Sequence, residues 1–316
     1  MTATKLLPKR FTLMLSGEDA YDLDDPQHMG PMSGLPHERF LLGEKLPAAP
    51  VLLLGQTNQA FDPDQSIACL QPVHLHATRD HLILMAQSQV DLTSEESANL
   101  LKVALPLIEE DFQHPLLFQG SREWFISAGP FASLATHSVD QSHGRNIDWW
   151  MPHDTHEVGL AKRWRKIQNE IQMLWHVDPT NEAREARGLP KINSIWLSGI
   201  GKLNAVEAPQ VLKQSAVIYG GHPLLAGLAK HLGIPHQLTV DLSAMENAFA
   251  WLEDPAQLWP ELLKALDTKA LQEVEIIDFK KGAARRRVFT AKDLSTSAWA
   301  FWQKPKVLTW ADISQS

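Results

Sequence analysis

The chain has 316 residues, 44% of them hydrophobic and 21% charged, with a net charge of −8 and a pI near 5.9. That length is ample for two lobes, and the composition excludes a disordered chain. An acidic surface repels phosphate backbones, which argues against nucleic acid as a partner.

Residues 11–15 form a short apolar run that predicts a buried strand. Residues 16–34, rich in Gly, Asp and Pro, predict a long loop. A short helix is expected over 35–42 and a second strand over 50–54. Residues 73–77 and 81–86 alternate as two strands. Thr93 and Glu96 make a capping box, hydroxyl and carboxylate each meeting an orphan N–H, so a helix should run from 94 to about 110. Residues 124–128 read as a strand, giving β-β-α-β over 73–128. Leu160, Trp164, Ile167, Ile171 and Leu174 step by four and three, which predicts a helix over 156–175, and Pro179 and Asn181 break that pattern. Beyond it, strands at 192–197, 215–219, 238–242 and 274–279 alternate with helices at 222–232 and 260–266, the texture of a parallel sheet. Lys280, Lys281 and Arg285 to Arg287 read as a solvated turn or strand edge. The single cysteine, Cys69, leaves no internal disulfide, and no long apolar run follows the N-terminal residues or occurs elsewhere. A cytoplasmic location, with no signal peptide and no membrane partner, is therefore expected. Eleven Trp against two Tyr predict a Trp-rich core.

Several patterns bear on chemistry. Gly199, Gly201 and Lys202 after a strand form either an anion loop or a plain tight turn, and the tight turn is the better reading. His74 with His76, and His153 with His156 around Asp154, pair as metal ligands do but fall short of a complete set, so no metal and no cofactor are expected. Ser97, Ser121 and Ser198 lie outside any nucleophile elbow, and Cys69 reads as a buried thiol. Arg145 and Asp148, beside Trp149 and Trp150, suit either a guanidinium–carboxylate pair in a site or one that joins lobes.

The block from Asp178, Pro179, Thr180 and Asn181 through Arg184, Gly188-Leu189-Pro190, Asn193 and Trp196-Leu197-Ser198-Gly199-Ile200-Gly201 resembles the archaeal-type cofactor-independent phosphoglycerate mutases. The helix start at 91–97, the strand Ala216-Val217-Ile218 with its following helix, and Phe118 to Arg122 add to that resemblance, which spans roughly residues 70–235. Gly144 to Asp148, Gln168 to Met173 and Asn193 to Gly199 are closer still to the RpfE-type bacterial regulatory proteins, over most of the chain. The resemblance implies an α/β fold: an alkaline-phosphatase-like mixed sheet flanked by helices, formed by 1–67 and 190–316, carrying a smaller inserted α+β lobe over 68–189.

The enzymes of that superfamily need Asp-Gly after the first strand, a nucleophilic Ser in an Asp-Ser context, and a late Asp/His cluster, which together hold two metals. Here Ser16-Gly17 follows the first strand, Lys280-Lys281-Gly282 follows 274–279, and no histidine occurs after His236. The expectation is thus a non-catalytic regulatory relative that binds a small phosphorylated or carboxylated metabolite. Its expected ligand-binding residues are Arg122, Arg145, Asp148, Asn181, Arg184 and Asn193, with Arg145 and Arg184 gripping the anion between the lobes. A phosphoryl-transfer enzyme with a rebuilt site, and an adaptor with a protein partner, are the alternatives.

Overall fold

The computed structural model describes residues 8–19, 33–85, 87–113, 115–294 and 309–314. In chain order its strands are β1 (Arg10–Met14), β2 (Ile67–Ala77), β3 (Leu82–Met85), β4 (Leu116–Gln119), β5 (Trp124–Ser127), β6 (Ser194–Gly201), β7 (Val217–Tyr219), β8 (His236–Gln237), β9 (Ala248–Trp251), β10 (Glu273–Lys280) and β11 (Ala283–Phe289). The fold is mixed α/β, with parallel and antiparallel sheets flanked by helices. Most of the loop expected over 16–34 lies outside the described residues. Among the described residues no helix is long and apolar enough to cross a membrane.

The chain divides into two units. The first is Met1–Glu18 with Ala208–Ser316, the second Asp19–Glu207. The second unit is thus a longer stretch than the 68–189 expected from the sequence for a smaller lobe. The physical reason is that β6, expected to open the phosphatase-like lobe, pairs antiparallel with β2 over Gln71–Trp196 and its neighbours, so it belongs to the second unit's sheet.

In the first unit the sheet order is β11-β10-β1-β9-β7-β8. β1 pairs parallel with both β10 and β9, so the N-terminal strand is central. Phe11, Leu13 and Met14 are accordingly fully buried. The Trp259–Asp267 helix turns Trp259, Leu262, Ala265 and Leu266 onto Phe11, Leu13, Val274 and Ile276. The basic run 285–287 lies on β11, an antiparallel edge strand, and charged side chains on an edge discourage unwanted strand pairing. No strand lies over the expected 238–242: β8 is His236–Gln237, and beyond it the Asp241 carboxylate accepts from the Ser243 N–H and hydroxyl in a turn.

In the second unit β2 is the long central strand, paired with β3, β5 and β6. The run at 50–54, expected as a strand, is the interior of the Ala48–Gln56 helix. Ala48 and Ala49 are good helix formers and Pro50 sits in the first turn, where its missing N–H costs nothing. The helix packs on β2 and β6, so it is apolar without periodicity and gave no helical signal. Gly199 and Gly201 lie within β6 under this helix. A Cβ at Gly199 would meet Ala49 N at 2.8 Å, and one at Gly201 would meet Pro47 Cβ at 2.5 Å. The Gly-x-Gly is therefore a close-packing device and not an anion loop.

The capping box is present: Glu96 N donates to Thr93 Oγ1 at 3.2 Å and Thr93 N to the Glu96 carboxylate at 3.0 Å, opening the Ser94–Phe112 helix. The amphipathic helix runs Leu160–His176. It starts later than the expected residue 156 because Gly159 has φ +103° and the Asp154 carboxylate accepts from Gly159 N and Ala161 N, both at 2.7 Å. Trp124, Trp150, Trp164, Trp175 and Trp196 are fully buried, in keeping with a Trp-rich core, whereas Trp149 is exposed.

Candidate functional site

In open α/β sheets, ligands bind beyond the carboxyl ends of the parallel strands. In the first unit that end carries a cavity of about 380 Å³. Ser16 lines it after β1, Gly221 and His222 after β7, and Trp251 with Glu253 after β9. β7 leaves the sheet through Gly220, whose φ of +136° and 2.1 Å approach of a Cβ to the Trp251 carbonyl admit no side chain. The turn delivers His222 to the N-cap of the Pro223–Leu232 helix, where His222 Nδ1 accepts from Leu224 N at 3.3 Å. That bond leaves the ring proton of neutral His222 on Nε2.

Trp251 joins the two flanking groups. Its ring stacks on His222, with centroids 3.8 Å apart and planes at 27°. Its Nε1 donates to Ser16 Oγ at 3.0 Å. Serine, imidazole and indole thus stand in one row across three strand ends, with Glu253 as the carboxylate of the lining. Ser16, His222 and Glu253 do not make the donor set of a two-metal centre, which needs several carboxylates and imidazoles converging on one point. Among the described residues no group of three or more His, Cys, Asp or Glu side chains gathers to hold a metal. The His74 and His76 rings are 6.0 Å apart, and His74 Nδ1 lies 2.6 Å from the Lys191 carbonyl.

The residues expected from the sequence to bind a ligand all fall in the second unit, and they do not converge. Arg184 is fully buried. Its Nε donates to the Pro190 carbonyl at 2.9 Å, its Nη1 to Asp91 O at 3.3 Å and to Glu96 Oε2 at 2.7 Å, and its Nη2 to the Val90 carbonyl. Arg187 bonds the other Glu96 oxygen. Burial pushes the Glu96 carboxyl up, but the Thr93 N–H and the guanidiniums of Arg187 and Arg184 outweigh it and hold it below the usual range. Asn181, also fully buried, bridges Trp175 O and Ile192 O from Nδ2 and accepts from Ile192 N, each at 2.8 Å. Asn193 acts as a surrogate strand residue, exchanging bonds of 2.7 and 2.9 Å with the Leu75 N–H and carbonyl. Asn181 and Asn193 are thus spent on backbone groups, and Arg184 on backbone carbonyls and the Glu96 carboxylate.

Arg145 is partly exposed. Its guanidinium pairs with Asp19 at 3.0 Å and lies over the Trp150 ring at 4.7 Å. The expected partner, Asp148, is exposed in the short Ile147–Trp149 turn. Arg122 is exposed in the bend before β5. Ser16, His222, Trp251 and Glu253 carried no sequence signature as a group. Their one shared signal is position: Ser16, His222 and Glu253 follow parallel strands, and Trp251 ends one.

No protein-family model matches the chain, and no curated protein matches it. Among solved structures the chain is similar to the cofactor-independent phosphoglycerate mutase from Thermoplasma acidophilum, at 12% identity over 89% of each chain with a TM-score of 0.36. It is also similar to the PH0037 protein from Pyrococcus horikoshii, at 12% identity over 86% of this chain and 82% of that chain, with a TM-score of 0.37.

Proposed function

We propose that this chain is a non-catalytic, regulatory relative of the archaeal-type phosphoglycerate mutases. In this reading it binds a small phosphorylated or carboxylated metabolite beyond the carboxyl ends of β1, β7 and β9. One observation carries it: Trp251 engages both Ser16 and His222 across the 380 Å³ cavity. An aromatic floor with a few fixed polar groups is the make-up of a binding pocket. Phosphoryl transfer rests on clamping the developing charge, and a hydroxyl, an imidazole and an indole supply no such clamp. The sequence block from Asp178 to Gly201 supplies the link to the mutases, and it lies in the second unit, where its polar residues act as scaffold.

The test is a thermal-shift and tryptophan-fluorescence titration of the full chain with phosphorylated and non-phosphorylated three-carbon acids. At a hundredfold excess over the dissociation constant, a ligand stabilises by about 2.7 kcal/mol. The expected result is a saturable shift that His222→Ala removes, with no interconversion of the two phosphoglycerates when manganese, cobalt or magnesium is added. Metal-dependent turnover would replace this reading with the catalytic one. Absence of any shift from these acids would end it.

A further inference from the structure

The Leu160–His176 helix carries Lys162, Arg163, Arg165 and Lys166 within five residues, in a chain whose net charge is −8. All four lie in its first two turns. A helix N-terminus has positive character, so cations there are unfavourable by roughly 0.3–1 kcal/mol each. Lys162 and Lys166 are four apart, and Lys162 and Arg165 three apart, so like charges also face each other along the helix. Asp154 at the cap is the nearby compensation, and its carboxyl is held below the usual range mainly by the Ala161 and Gly159 N–H groups. The sequence therefore breaks two local rules in one place, and such conflicts mark function more often than folding.

The surface shape agrees. An open depression of about 590 Å³ runs along the outer face of this one helix, lined by Lys162, Arg165, Lys166, Asn169 and Met173, with one carboxylate, Glu170, among them. Lys166 pairs with Glu170 at 3.6 Å in an exchangeable surface contact, whereas Arg163 is held in place, its Nε and Nη2 bonding the Asp111 carboxylate and its guanidinium lying over the Phe131 ring. Lys162 and Arg165 make no ion pair among the described residues. Past the cations, Met173 is 72% exposed, Leu174 40% and Val177 68%. The face is thus cationic along its first half and apolar at its end.

We infer that this face docks an acidic amphipathic segment of a partner protein, whose carboxylates meet Lys162, Arg165 and Lys166 while an apolar side chain covers Met173. Charge complementarity chooses the occupant. Carboxylates at this end of the helix relieve both the dipole conflict and the Lys–Lys repulsion, and Met adapts readily to apolar partners. Nucleic acid fits less well, because an extended phosphate backbone would meet the acidic remainder of the surface.

The probe is a labelled peptide with Glu and Leu at helical spacing, titrated into the full chain and followed by fluorescence anisotropy. Saturable binding is expected, weakening as salt is raised. Lys162→Glu with Arg165→Gln should weaken it about tenfold while leaving the melting temperature unchanged or higher, since the substitution also relieves the dipole conflict. Met173→Ser should weaken binding at both low and high salt. The inference is overturned if the peptide does not bind, if the double variant binds equally well, or if a single-stranded oligonucleotide of equal charge binds more tightly. A lower melting temperature in the double variant would also overturn it, because the cations would then be scaffold.

Discussion

At Glu38, burial competes with contacts that favour the ionised form. The carboxylate accepts from the Leu35 N–H at 2.6 Å and from the Ser138 hydroxyl at 3.2 Å, yet the residue is only 7% exposed. Desolvation dominates, and the carboxylates of Asp140 and Asp19 add repulsion, so its pKa is raised from 4.5 to about 7. Nearby, Gln141 bonds both Gly34 and Asp19, and Arg145 neutralises Asp19. A carboxyl whose folded pKa exceeds its unfolded value binds its proton more tightly when folded. Stability is therefore full below pH 4.5, falls as pH rises from about 4.5 to 7, and is flat above that. The size of the effect is on the order of 3 kcal/mol. Urea unfolding at pH 5 and pH 8 should show the native chain losing stability between the two and Glu38→Gln losing much less. Equal losses in the two proteins would mean that Glu38 titrates normally.

At the scale of elements, Arg184 ties three pieces of chain to one another: the loop at Val90 and Asp91, the start of the Ser94–Phe112 helix through Glu96, and the turn at Pro190 that follows the Pro179–Ala186 helix. A lysine keeps the charge but not the planar fork, so several buried carbonyls lose their donors. Breaking a buried pair costs about 3–5 kcal/mol, and each kcal/mol is about 2–4 °C in a unit of this size. Arg184→Lys should therefore lower the melting temperature by roughly 10 °C in a calorimetric scan. A shift of a degree or two would return this arginine to the role of ligand contact. Elements with a local signature were legible in the sequence: the Thr93 capping box and the apolar stripe through Leu160, Trp164, Ile167 and Ile171, although its expected last member, Leu174, is 40% exposed and Trp175 takes the buried place. The Ala48–Gln56 helix was not legible, because its unbroken apolar run Val51-Leu52-Leu53-Leu54 shows no helical period and reads as a strand. Nor was β6's place in the second sheet, since pairing between Gln71 and Trp196 is a long-range fact. The inward turn of Arg184 was hidden for the same reason. An arginine three residues after an asparagine reads identically whether carbonyls or a ligand complete it.

On the scale of the whole molecule, the second unit is one continuous stretch, Asp19–Glu207, with its own apolar clusters around Trp164, Trp196 and Phe125. A polypeptide of residues 19–207 should fold by itself, with a cooperative thermal transition and strong near-ultraviolet circular dichroism from its buried tryptophans. A broad transition lacking that signal would show that the stretch depends on the rest of the chain. The first unit is different, since β1 needs β9 and β10 on either side. On the ribosome, residues 10–14 emerge before their neighbours at Ala248–Trp251 and Glu273–Lys280, which arrive more than two hundred residues later. At about 5–20 residues per second, that is a wait of roughly 10–50 s. Throughout it the strand that becomes the middle of a sheet is a nascent, unpaired apolar segment. The strands made later, β9 and β10, thus lock the earlier β1 into place.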